Sequence, residues 1–148
     1  ARARAYLAEA ELDVLQGNPD QAFVVFDRYE QQFGGRADLM PAVLQRRILL
    51  RVDRGDLARA RDEAAAMMGR FPDGAAAVIG AVLNDLEARL APLDDDHPAA
   101  APLADTAAAL AKLLADWARG RGLDAAEMLP YHLVVLKSLR IAGRPDEA

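Results

Sequence analysis

The sequence predicts an all-α protein, and three observations carry that prediction. The composition is 53% hydrophobic and 28% charged but only 5% aromatic, with alanine dominating the apolar set. Such a mixture suits close helix packing better than strands, which draw on β-branched and aromatic residues. Glycine-led turns recur as "GNPDQA" at 17–22, "GDLARA" at 55–60 and "GRPDEA" at 143–148. Between them lie apolar residues at helical spacing and no convincing strand pattern.

Seven helices follow in order. The first is expected from about Arg4 to Gln16, stopped by Gly17, and the second from Pro19 to about Phe33, stopped by Gly34 and Gly35. Glycine tolerates the left-handed conformation that closes a helix, Asn18 can cap the next helix through its side-chain oxygen, and Pro19 suits the first helical position. A third helix runs from about Asp38 or Pro41 to Arg54, and a fourth, capped by Asp56, stops before Pro72. The fifth covers about Ala75 to Leu90, and "APLDDDHPAAAP" at 91–102, with three prolines and three consecutive aspartates, reads as a loop. The sixth covers about Leu103 to Arg119, "GRGLD" at 120–124 breaks the chain, and the seventh lies near Ala125 to Ala142.

Composition also excludes function classes. No run approaches the roughly 20 apolar residues of a membrane span, and no signal-peptide pattern opens the chain. Cysteine is absent, which removes disulfides and thiolate metal sites but leaves the compartment open between bacterial cytoplasm and periplasm. Sixteen arginines against two lysines read as the bias of a GC-rich bacterial genome. Ala1 in place of methionine, and a helix-opening motif at 143–148 that goes no further, lead us to expect a piece of a longer protein. The net charge of -5 arises wholly after residue 72, and the one dense basic group is Arg46, Arg47, Arg51 and Arg54 on the third helix, expected to be a paired, solvated face. Nucleic-acid binding is therefore not expected, because it draws on a basic surface that neutralises phosphates.

Catalytic readings find no support. Only two histidines are present, His97 and His132, and neither Thr106 nor Ser138 sits in a nucleophile motif. Asp94, Asp95, Asp96 and His97 are consecutive and lack the alternating spacing of a calcium loop, so they read as solvated. No glycine pattern with a lysine wraps a phosphate. We expect no cofactor and no enzymatic activity. Met67, Met68 and Phe71 with Ala60 and Ala64 form an apolar stripe expected to pack in the core, and Trp117 is expected to anchor it.

Superposing the turns puts Ala22, Ala60 and Ala148 five residues after Gly17, Gly55 and Gly143, and the first two glycines are 38 residues apart. With Phe26 at a second-helix aromatic position, Tyr6 and Leu44 at a first-helix large position and Pro72 at a closing position, the chain resembles the tetratricopeptide repeat family, whose period is about 34 residues. The likeness is stronger over 3–74 than over 75–148. Departures are Asp13, Arg47 and Arg51 at normally apolar positions, Gly34 in place of a closing proline, and the long acidic loop. The resemblance implies a right-handed superhelix of antiparallel helix pairs, an α-solenoid with units near 3–36, 37–74, 75–120 and a truncated 121–148.

It further implies that first helices line a concave groove holding a peptide or partner helix. The family's groove positions fall on Arg4, Leu7, Glu11 and Val14, on Ala42, Gln45, Leu49 and Val52, on Ala76, Ile79, Leu83 and Leu86, and on Leu133, Lys137 and Arg140. The carboxylate clamp of the chaperone-binding members is not matched, since Leu7, Glu11, Gln45 and Leu49 occupy its positions. An apolar peptide is the partner this implies. Two alternatives stay open from sequence: these residues are core between stacked units, which Leu49 and Leu83 decide, or the chain is a regulatory or accessory domain of a larger enzyme or transporter whose groove is filled by its own chain.

Overall fold

A computed structural model describes residues 2–143. Among them are seven helices and no strand: α1 (Arg2–Leu15), α2 (Pro19–Phe33), α3 (Met40–Asp53), α4 (Leu57–Arg70), α5 (Pro72–Leu90), α6 (Ala100–Gly120) and α7 (Ala125–Ile141). The expected equivalence of Ala148 lies outside the described residues.

The glycine turns act as local chemistry requires. Gly17 and Gly55 have φ of 78° and 75°. Their N–H groups donate to Val14 O and Val52 O, and the next residues, Asn18 and Asp56, donate to Asp13 O and Arg51 O. That paired arrangement satisfies the last carbonyls of α1 and α3 and reverses the chain at once. Asp56 then caps α4, accepting from Arg59 N at 3.4 Å. Asn18 makes no such side-chain bond, and Pro19 at the first helical position of α2 leaves one fewer N–H to cap. Gly34 keeps a right-handed conformation instead of closing α2 in the left-handed region; its carbonyl accepts from Arg70 Nη2 at 2.9 Å. As expected, α4 stops before Pro72, but Pro72 itself opens α5, three residues before the expected start at Ala75, so only Phe71 separates the two helices. The acidic loop ends at residue 99, and α6 absorbs Pro102 in its first turn.

The hairpins are antiparallel. Tyr6, near the start of α1, donates its hydroxyl hydrogen to Gln32 Oε1 near the end of α2 at 3.0 Å, and its ring meets Tyr29 and Phe33 edge-on. Ala10, Ala22 and Ala60 are all fully buried. Small side chains there let helix axes approach closely, so Ala60→Leu is expected to overpack the core and cost about 1–3 kcal/mol, read as a lowered urea midpoint. An unchanged midpoint would mean that the added bulk finds free space.

Beyond the hairpins, α2 packs on α3, α3 on α5, and α4 on both α5 and α6. The approach of α5 to α3 is tight: a Cβ on Gly74 would lie 2.6 Å from Pro41 Cγ. Because α6 touches α4, α5 and α7, little of its circumference is free. The alanines at 104, 107, 108, 111, 115 and 118 are accordingly buried. The stripe of Ala60, Ala64, Met67 and Phe71 lies in the core as expected, with Met68 half-buried beside it. Trp117 packs on the core from the side, edge-on to Tyr131 and beneath the Arg121 guanidinium. A reciprocal capping box between Asp124 and Glu127 starts α7, and Pro130 is accommodated inside it.

Candidate functional site

Charge in the first half of the chain is organised rather than scattered. Arg47 of α3 is buried, donating to Glu30 Oε2 of α2 at 2.9 Å and to Asp27 Oδ1 at 3.3 Å. Its Nε donates to Glu63 of α4, which also receives Arg51. Arg70 of α4 completes the circuit, donating to Glu30 Oε1 at 2.7 Å. The expectation of a paired face is met, but Arg47 is not solvated: three helices close over it. Arg47 and Arg51 thereby join α2, α3 and α4 through one ionic junction. Burial opposes the Arg47 charge, yet Glu63 and Glu30 outweigh it and hold its pKa above the ordinary arginine value. Burial likewise opposes the Glu30 carboxylate, and Arg70 and Arg47 outweigh it, so its pKa lies below the ordinary 4.5.

A second set of ion pairs links the odd-numbered helices. Arg46 of α3 reaches back to Glu11 of α1 at 2.9 Å, Arg89 of α5 to Asp53 of α3, and Lys137 of α7 to Glu87 of α5 at 3.0 Å. In each, the later helix supplies the cation and the earlier one the anion.

Between α1 and α3, beside the first of these pairs, lies a groove of about 370 Å³. It is lined by Ala10, Glu11, Val14, Leu15, Phe26, Arg46, Leu49, Leu50 and Asp53. Three expected groove residues, Glu11, Val14 and Leu49, therefore come together. Leu7 and Gln45 are half-buried and lie outside its lining, as do the exposed Arg4 and Ala42. Val52, Ile79, Leu83 and Leu86 do not line an open groove. All four are buried, Leu83 at 4% exposure: Ile79, Leu83 and Leu86 because α5 is covered by α3, α4 and α6, and Val52 on α3, which packs against α2, α4 and α5. Leu133 is 54% exposed on α7. Lys137 and Arg140 line a separate hollow of about 800 Å³ with Leu90, Leu93 and Ile141, between the ends of α5 and α7 and the loop that follows α5.

Leu15, 84% exposed, and Leu50 complete the α1–α3 groove and were not anticipated. Leu15 lies one residue past Val14, the last groove position expected on α1, and only its place at the end of the helix marks it. Asp94 to His97 are exposed, with His97 Nδ1 accepting from Ala99 N at 3.1 Å. Thr106 is buried and donates to Pro102 O at 2.8 Å. Among the described residues no cluster of three or more His, Asp or Glu could hold a metal ion, and no helix is long and apolar enough to cross a membrane. No family model, curated protein or solved structure matches the chain.

Proposed function

We propose that the chain is a non-catalytic interaction module, a tetratricopeptide-like stack of helix pairs that receives an apolar peptide or partner helix between α1 and α3. The observation that carries the reading is the α1–α3 groove itself, where Val14 and Leu15 stay exposed and Leu49 is half-buried above a core of Phe26 and Leu50. Apolar side chains left open to water in a concave surface gain about 25 cal/mol per Å² when a partner covers them. The repeat reading is supported by the two glycine turns with matching φ and hydrogen bonds, by the packing of α3 on α5 and α4 on α6, and by the ion pairs joining each odd helix to the odd helix before it.

A display library of amphipathic helices tests it. Selected clones are expected to bind the wild-type chain and to lose about tenfold or more in affinity on Leu49→Asp, with Val24→Asp at an exposed position of α2 outside the groove as the indifferent control. A melt of Leu49→Asp within a few degrees of wild type would separate binding from folding. A selection that yields no clones, or clones indifferent to Leu49→Asp, would remove the groove as the site. Under the accessory-domain alternative the groove is filled by adjoining chain, and binding would appear only when that chain is absent.

A further inference from the structure

The large apolar side chains that remain exposed among the described residues are not spread over the molecule. All but Val24 sit on the first and last helices: Leu12, Val14 and Leu15 on α1, and Leu129, Leu133, Leu136 and Ile141 on α7. The helices between them carry only Val24, on α2, since their apolar faces are otherwise covered by neighbouring helices. The two patches differ in charge. Through the second half of α1 the ionisable residues are Glu9, Glu11 and Asp13, whereas through the second half of α7 they are Lys137 and Arg140. Arg46 offsets Glu11, and Glu87 offsets Lys137. Asp95 lies across the hollow from Arg140 without an ion pair. Glu9 and Arg140 remain exposed.

Their order matters. Along α1 the exposed sequence of features is Glu9, Leu12, Leu15, at intervals of three residues; along α7 it is Leu133, Leu136, Arg140, at intervals of three and four. Both sets lie within one side of a helix. Laid antiparallel, the two helices set Glu9 against Arg140, Leu12 against Leu136 and Leu15 against Leu133. Laid parallel, or as α1 on α1 or α7 on α7, they set charge against leucine or like charge against like. We infer that the α7 face of one copy of this chain docks antiparallel on the α1 face of a second copy, a head-to-tail contact that leaves one free head and one free tail and therefore propagates.

The contact shares Leu15 with the proposed groove and so extends that reading, but the two fail separately: peptide binding is read at Leu49 and self-association at the residues below. Sedimentation of the 148-residue chain from micromolar to several hundred micromolar is expected to show a mass that climbs past the dimer with concentration. Glu9→Arg alone and Arg140→Glu alone should each weaken association about tenfold, since each sets like charge against like. An equimolar mixture of those two variants, and the double variant, should recover it. Leu12→Glu and Leu136→Glu should each stay near one chain in mass while melting as wild type. A mass of one chain at every concentration would overturn the proposal. So would association that ignores the charge swaps, or a collapsed melt for Leu136→Glu, which would show that face already covered within a single chain.

Discussion

Leu83→Asp is expected to abolish cooperative folding at neutral pH. Leu83 sits in α5 at 4% exposure, inside the main core with Ile79, Val82 and Leu86. Removing a buried leucine side chain costs about 2–5 kcal/mol, and a carboxylate with no cation to pair with adds its desolvation. Together these approach the roughly 5–15 kcal/mol that stabilises a domain. Leu83→Ala should keep a cooperative transition at a lower urea midpoint, because it leaves a cavity but no charge. The buried aspartate also gives a sign to check. Burial raises its folded-state pKa above the unfolded value near 3.9, so the folded state holds the proton more tightly, and the deficit relative to wild type should narrow as pH falls toward that value. Leu49→Asp, on a half-buried position, should lose much less. Equal melts for Leu83→Asp and wild type would mean that α5 is not the centre of the core.

How much of this could be read beforehand differs from element to element, for physical reasons. Helix number and the turns at Gly17 and Gly55 were legible because positive φ, a cap and a proline at the first helical position are local properties that residue type announces. The start of α5 falls three residues before the expected Ala75, because a proline serves equally after a helix end and at a helix start, and only the packing of α5 against α3 decides between them. The groove residues on α5 were misplaced for a different reason. A helix flanked on three sides is apolar nearly all round, and such a pattern does not say which side a partner could reach. On α1 and α3, which have a polar side, Glu11, Val14 and Leu49 line the hollow between the helices, whereas Leu7, Gln45 and Val52 do not.

The least legible feature is Arg47, whose partners Asp27, Glu30 and Glu63 are 16 to 20 residues away in sequence; no local pattern announces a pairing made by tertiary contact. It predicts a second large effect. Arg47→Met keeps the length of the side chain but leaves the Glu30 and Glu63 carboxylates with only Arg70 and Arg51 in a place closed by three helices. Breaking a buried pair from one side costs about 3–5 kcal/mol, whereas the exposed pairs Arg36–Asp38 and Arg119–Asp116, screened by solvent, should contribute little. Glu30 links the effect to pH. Its folded pKa lies below its ordinary 4.5, so the unfolded chain binds the proton more readily, and the stabilisation is fully present above that value and lost as pH falls through the lower folded one. Without Arg47 the Glu30 pKa should move back up. The gap between wild type and Arg47→Met is then expected to be widest at neutral pH and to shrink from about pH 4.5 downward, as urea midpoints at pH 7 and pH 3 would report. A second substitution, Glu63→Gln in the Arg47→Met background, should restore part of the loss, because the carboxylates left, Asp27 and Glu30, then no longer outnumber the remaining Arg51 and Arg70. A gap that stays constant from pH 7 to pH 3, with no recovery from Glu63→Gln, would mean that Arg47 acts through its methylene packing and not through the carboxylates that surround it.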